Sequence, residues 1–275
     1  MNAPRRQAWT AAVMGTTVSI HVIATGAVPP RAADAAASTI AALRELDALF
    51  SPFRSASQVS RRRRGELALA DADPRLREVV QACATLETAT GGRFSASWRG
   101  GFDPTGYVKG WAADRSADAH LVPLLEGGDV VAVGINVGGD LRVWTAADAD
   151  WSWRVGIADP RLPGALLATV ELRAGAVATS GTAERGAHLR DPRSGKPVPG
   201  LVSATVVADD LTTADAWATA VAVSADDDLG WLWGAPLRSG LVAAATDGPG
   251  GEPASLRVRR WLGGVGVETV VHAAA

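Results

Sequence analysis

Asp215 and Thr219 stand four residues apart in the segment Thr212-Thr213-Ala214-Asp215-Ala216-Trp217-Ala218-Thr219. On a helix that spacing puts a carboxylate and a hydroxyl on one face. Two hard oxygens of this kind suit magnesium, which takes few protein ligands, keeps waters and shares substrate phosphates. The same residues also fit a plain helix start, with Thr212 as cap and Asp215 at the third position of a capping box. A second cluster, Asp103-Pro104-Thr105-Gly106-Tyr107-Val108-Lys109-Gly110-Trp111, places an aspartate and a lysine near one helix N-terminus. Backbone N–H groups there favour anions, so a phosphate-bearing ligand could use both the field and the lysine. An ordinary aspartate cap with a solvated lysine is the competing reading.

Two loops complete the set. Thr179-Ser180-Gly181 ends an apolar run, and Arg185 to Pro197 holds His188-Leu189-Arg190-Asp191-Pro192-Arg193-Ser194-Gly195. The first could present hydroxyls and bare backbone to a ligand. The second has the composition of a functional loop, although Asp-Pro-Arg-Ser-Gly is equally a β-turn. Taken alone, His188 reads as a hydrogen-bonded structural histidine. Asn136-Val137-Gly138-Gly139-Asp140 reads as a hairpin turn. The run Arg61 to Arg64 reads as a solvated loop.

Several function classes lack support. The chain has 275 residues, 47% of them apolar, enough for one large domain over residues 1–275 or two tightly joined lobes. The formal net charge is -2, which gives no broad basic face for nucleic acid. The only lysines are Lys109 and Lys196, so any chemistry that needs an amine falls to one of them. The single cysteine, Cys83, sits in an apolar helical pattern and reads as a core residue. No G-x-G-x-x-G follows a strand, and Gly195-Lys196 lacks the rest of a P-loop. As written, the N-terminus shows no apolar leader and no lipid-acceptor cysteine, which gives a cytoplasmic expectation, with export if the true start lies elsewhere. No stretch approaches the length of a membrane span.

The elements that must position these residues come in blocks. Val18 to Ile23 predicts an early strand, and Asp34 to Phe50 a helix that Ser51-Pro52 stops. Asp73-Pro74 and Asp103-Pro104 each begin a helix, and Gly91-Gly92 ends the first of these. Short β-type runs follow at 130–135, 141–144, 153–157, 167–172, 176–179 and 201–208. A helix is expected over Thr213 to Val223, a short one over Asp226 to Trp233, and strands at 241–245 and 256–261. Blocks rather than strict alternation predict an α+β fold and not a Rossmann sheet.

The order of the motifs says more than any one of them. Met14-Gly15-Thr16, Phe50-Ser51-Pro52-Phe53-Arg54, Thr90-Gly91-Gly92-Arg93-Phe94, Asp103 to Ala112, Asn136 to Asp140, Thr179-Ser180-Gly181, His188 to Gly195 and Ala214 to Thr219 follow one another as they do in the ApbE-like flavin transferases. Residues 13 to 225 resemble that family. The resemblance implies two closely packed lobes of mixed sheets and helices with a flavin cleft between them. It implies FAD as substrate, Mg2+ as cofactor and an acceptor flavoprotein as partner. The implied reaction is attack of an acceptor threonine hydroxyl on the FMN phosphorus of FAD, with AMP leaving. FAD hydrolysis to FMN and AMP, or flavin binding without catalysis, are the alternatives.

Carried over residue by residue, Met14, Phe53, Arg93, Phe94, Ser95, Asp103, Lys109 and Leu189 match flavin-contact positions. Gly106, Asp215, Ala218 and Thr219 match the metal positions, Gly106 through its backbone oxygen. His188, Asp215 and Thr219 make up the implied catalytic set. The departures from the usual pattern include a short stretch between Ser180 and His188, and the usual asparagine after the Ser51 segment falls within the arginine run. Ser95 stands where an aspartate is common, Phe53 replaces a tyrosine, and Ala218 offers only backbone where a second carboxylate can occur.

Overall fold

The computed structural model describes residues 4–98, 100–182, 189–200, 202–224, 228–247, 253–263 and 265–273. The chain opens with a hairpin of β1 (Arg5–Val13) and β2 (Thr16–Ala24), in register from Arg5 opposite Ala24 to Val13 opposite Thr16. Met14 and Gly15 make the turn at φ of 56° and 71°. A two-residue hairpin loop needs that left-handed pair to match the strand twist. Glycine adopts it freely, and methionine does so at a cost.

Nine strands form one antiparallel sheet in the order β1-β2-β3-β4-β7-β8-β9-β10-β11. The added strands are β3 (Val130–Val137), β4 (Asp140–Thr145), β7 (Gly175–Gly181), β8 (Val202–Ala208), β9 (Ser239–Asp247), β10 (Pro253–Leu262) and β11 (Val265–Ala273). β8, Val-Ser-Ala-Thr-Val-Val-Ala, is buried along its whole length because both faces of the sheet are covered. One cover is the two-stranded ribbon of β5 (Trp153–Ala158) and β6 (Leu166–Leu172). Its Ile157 packs with Leu241, Ala243, Leu256 and Val258, and its Trp153 with Ile23, Ala132 and Val143. The alternate residues Val242 and Ala244 join the main core with the helices, as the period of two along a strand requires.

The helical cover consists of α1 (Arg31–Phe50), α2 (Gln58–Arg63), α3 (Pro74–Ala89), α4 (Thr105–His120) and α5 (Leu211–Val223). α5 lies on β7 and β8 and against α4. Gly110 of α4 permits that contact: a Cβ there would stand 2.5 Å from the carbonyl oxygen of Leu211. Cys83 is buried on α3, and burial pushes its thiol up to about 12, as befits an inert core residue. Among the described residues no helix is long and apolar enough to cross a membrane.

The α+β class and most elements follow the sequence pattern, and five local expectations change. α5 begins at Leu211, and its cap is Asp210, whose side chain accepts from Thr213 N at 2.7 Å. Thr212 is therefore not the cap, and Asp215 lies beyond the capping box. Pro104 occupies the position before α4, while the Asp103 carboxylate accepts from Thr105 N and Oγ1 at 3.2 and 2.8 Å. Arg61 to Arg63 lie on α2 rather than in a loop, and Arg63 pairs with Asp103 at 2.9 Å and donates to the Phe102 carbonyl at 2.7 Å. The short helix expected over Asp226 to Trp233 is a 3-10 turn over Leu229–Leu232, with residues 226 and 227 outside the described set. β1 and β11 form without having been expected, for each draws its hydrogen bonds from a partner strand more than from its own alternation.

Candidate active site

The cavity sits at one end of the sheet. There the β1–β2 turn, the β3–β4 turn and the last residues of β7 lie side by side. The N-terminal turn of α4, the loop after α1 and one face of α5 close it, and its volume is about 520 Å³. The described residues that the resemblance singles out, Met14, Phe53, Arg93, Phe94, Ser95, Asp103, Gly106, Lys109, Leu189, Asp215 and Thr219, all line it. Ala218 does not: its methyl is fully buried in the core behind α5. His188 lies outside the described residues.

The floor is a buried charge cluster. Lys109 Nζ on α4 reaches Asp140 Oδ2, and stands 3.3 Å from Asp215 Oδ1 on α5. Asp140 also accepts from Thr179 N at 2.8 Å, so both its oxygens are engaged and β4 is tied to β7. For Lys109 burial works against the charge, but Asp215 and then Asp140 outweigh it and hold the ammonium above the usual lysine range. Burial pushes the Asp215 carboxyl up to about 7. Lys109 opposes that rise, and the neighbouring charge of Asp140 adds to it. Asp103, six residues before Lys109 in the chain, pairs instead with Arg63 at 2.9 Å.

One cation against two carboxylates leaves this buried cluster one positive charge short when both are ionised. The deficit is localised: Asp215 Oδ2 is buried and accepts no hydrogen bond from the described residues. A buried polar atom without a partner is costly unless an ion or ligand completes it. In the same cavity the hydroxyls of Thr219 and Ser180 lie 3.1 Å apart, and Gly106 contributes its backbone. No group of three or more His, Cys, Asp or Glu gathers among the described residues. A metal here would thus be held by a carboxylate, a hydroxyl and a backbone oxygen, with the rest of its shell from water and ligand phosphate. That donor set fits magnesium and not a soft metal.

The mouth differs in character. Phe53 is 92% exposed beside the cavity, an aromatic ring with nothing packed on it, while Phe94 is buried in the wall. The guanidinium carbon of Arg93 lies over Trp231, 4.4 Å from the ring centre, and Trp231 stacks on Trp217 of α5 at 5.8 Å. This rigid backing holds a guanidinium at the cavity edge.

Sequence reasoning missed several lining residues. Asp140 had been read only as the end of a hairpin; a buried acid directly after Gly-Gly was the available signal. Asp47 and Trp98 also line the cavity, and nothing in their local sequence marks them; Arg190 joins them from the His188-to-Gly195 loop that the motif order already singled out.

The sequence profile of the ApbE family matches residues 14–100 and 97–236. The chain belongs to the ApbE family. Every cavity-lining segment from Met14 to Thr219 falls within the matched range. Among curated proteins, the FAD:protein FMN transferase of Rhodobacter capsulatus is 35% identical over 136 residues, covering 44% of this chain and 24% of that protein. The FAD:protein FMN transferase of Escherichia coli K12 is 33% identical over 125 residues, covering 42% and 34%. The matched part thus spans about a quarter to a third of the length of these relatives. The ApbE protein of Thermotoga maritima superposes with a TM-score of 0.73 at 21% identity, covering 96% of both chains. The flavinyl transferase ApbE of Pseudomonas stutzeri, apo form, gives 0.72 at 21% identity, covering 96% and 98%. These two likenesses establish the ApbE fold over nearly the whole chain.

Proposed function

We propose that this chain is an FAD:protein FMN transferase that uses Mg2+ and modifies a threonine of an acceptor flavoprotein. The observation that carries the reading is the cavity floor: a half-buried lysine between two buried aspartates, with one carboxylate oxygen left without a partner among the described residues and two hydroxyls in the same cavity. An anionic, phosphate-bearing ligand and a hard cation together would satisfy that arrangement; an apolar ligand would not. The relatives' names supply the substrate, FAD, and the protein acceptor.

In this reading Phe53, Phe94 and Met14 face the isoalloxazine, and Arg93, Ser95, Asp103 and Leu189 complete the flavin and nucleotide contacts. Gly106, Asp215 and Thr219 hold the cation, and Ala218 could contribute only through its backbone. When bound, Mg2+ would neutralise pyrophosphate charge and the charge that develops on the leaving phosphate. Lys109 binds and orients the FMN phosphate, while Asp140 holds the ammonium in place. The acceptor Oγ forms a bond to the FMN phosphorus as the bond from that phosphorus to the bridging oxygen breaks. The bridging oxygen leaves with AMP, and the threonine proton is lost. No oxidation state changes. Positioning and electrostatics supply the acceleration.

The test is incubation with FAD, Mg2+ and a flavoprotein acceptor, followed by mass spectrometry. The expected result is an acceptor heavier by one FMN on threonine, with AMP in stoichiometric amount. AMP and FMN released with the acceptor unmodified would show a hydrolase instead. Asp215→Ala should abolish both products while circular dichroism stays unchanged, and normal turnover in that variant would remove the cation assignment.

A further inference from the structure

We propose that Asp114, on α4 behind the cavity, is a positioning residue that sets the divalent-cation affinity of the α5 stripe carrying Asp215 and Thr219. The proposal rests on the reading of those two residues as cation ligands. The first four N–H groups of any helix have no partner inside it. In α5 the side chain of the cap residue Asp210 takes Thr213 N at 2.7 Å, and its carbonyl accepts the first helical bond, from Ala214 N at 3.1 Å. The amides of Leu211 and Thr212 are satisfied from a different helix. Asp114 Oδ1 accepts from Leu211 N at 3.1 Å, and Oδ2 accepts from Thr212 N at 2.7 Å and Thr212 Oγ1 at 2.6 Å. Asp114 is buried and does not line the cavity.

Three facts give this cap a consequence for the site. Thr212, Asp215 and Thr219 are spaced by three and four residues, so they form one stripe on α5. The residue that Asp114 grips with three hydrogen bonds, counting the adjacent Leu211 amide, is thus the foot of the stripe that faces the cavity. Next, α4 and α5 meet at successive points along the same seam: Asp114 with Leu211 and Thr212, Gly110 against the Leu211 carbonyl, and Lys109 with Asp215. Finally, the carboxylate is itself held from the sheet. Arg142 Nε of β4 stands 3.6 Å from Asp114 Oδ1, and its guanidinium lies over Trp144 at 4.7 Å. β4 also begins with Asp140, so one strand orients both Lys109 and Asp114. Magnesium demands near-ideal octahedral geometry, which makes a small shift of α5 costly to its ligands.

The experiment measures binding of Mn2+, as a probe of the magnesium site, by its electron paramagnetic resonance signal in the presence of FAD. It compares the parent with Asp114→Asn, Thr212→Val and Asp215→Ala at a temperature where all are folded. Asp114→Asn keeps the shape but turns an amide donor toward donors. It should raise the Mn2+ dissociation constant at least about tenfold, the usual effect of losing a group that orients a ligand. Thr212→Val, which removes only the hydroxyl bond, should raise it less and in the same direction. FAD affinity without metal should stay within about twofold of the parent, because Asp114 touches no cavity wall. Parent-like Mn2+ affinity in both Asp114→Asn and Thr212→Val, with the site lost in Asp215→Ala, would overturn the positioning role and leave Asp114 a helix cap. If Asp114→Asn fails to fold, parent-like binding in Thr212→Val overturns it alone. If Asp215→Ala binds Mn2+ like the parent, the ligand reading itself fails and the proposal goes with it.

Discussion

Replacing Lys109 by methionine tests the charge cluster most directly. Methionine nearly preserves length and volume and removes only the ammonium, which leaves Asp140 and Asp215 buried without their common cation. Removing one partner of a buried pair costs about 3–5 kcal/mol, since an uncompensated charge remains. Asp140 keeps its hydrogen bond from Thr179 N, which puts the expectation at about 3 kcal/mol at pH 7.5. The penalty must depend on pH. The Asp215 carboxyl already sits well above its unfolded value of 3.8, through burial first, and losing Lys109 raises it further. A carboxyl whose folded pKa is raised contributes stability at low pH, and that contribution is lost as pH rises through the folded value. Between the ordinary carboxylate range and about 7 or above, a proton can therefore stand in for the missing ammonium. Each pH unit in that window is worth about 1.4 kcal/mol per proton taken up. The parent, with its Asp215 carboxyl at about 7, itself takes up most of that proton and gains about 1.9 kcal/mol between pH 7.5 and pH 5.5. The variant gains at most about 2.7 kcal/mol, so its deficit should shrink by a little under ~1 kcal/mol. Urea denaturation of parent and variant at the two pH values measures it, and Lys109→Arg should recover part of the loss. A variant as stable as the parent at pH 7.5, or a deficit that does not shrink at pH 5.5, would refute the reasoning.

Other outcomes follow from the same geometry. Phe53 is 92% exposed, so Phe53→Ala should leave the urea midpoint within about 0.5 kcal/mol of the parent, yet weaken FAD about tenfold if the ring stacks on the ligand; calorimetric titration showing parent-like affinity would exclude that contact. Gly110→Ala places a Cβ 2.5 Å from the Leu211 carbonyl and must push α4 from α5. Overpacking of about 3 kcal/mol outweighs the gain of about 1 kcal/mol in helix propensity. Denaturation should show a net loss of about 2 kcal/mol, and a more stable variant would mean the helices are not in contact there. If flavin and pyrophosphate both find partners in the cavity, as proposed, FAD should bind more tightly than riboflavin and than NAD, and equal calorimetric affinity for NAD and FAD would count against the site.

Much of the fold was legible because its signals are local. Apolar spacing marked α1, α3 and the central strands. Gly138-Gly139 marked the β3–β4 turn, and the order of the short motifs carried the family. Edge strands β1 and β11 were less legible: each is held by hydrogen bonds to one neighbour, and an edge needs little apolar alternation. The helix caps misled for a related reason. Asp, Ser and Thr all cap well, so Asp210-Leu211-Thr212-Thr213 offers more than one start, and a carboxylate from α4 helps choose among them.

The site divides in the same way. The sequence by itself determined which chemical groups are available: one lysine near a helix N-terminus, an Asp/Thr pair at helical spacing and a glycine-lined loop. It could not determine that Lys109 pairs with Asp140 and Asp215 rather than Asp103. Those residues belong to α4, β4 and α5, and their spacing along the chain says nothing of distances across a seam of packed helices. Nor could it show that Arg63 takes Asp103, or that one carboxylate oxygen of Asp215 ends buried without a partner among the described residues. Burial and pairing are properties of the packed interior, where the low dielectric makes each ion's neighbours decide its charge, and only the tertiary structure brings those neighbours together.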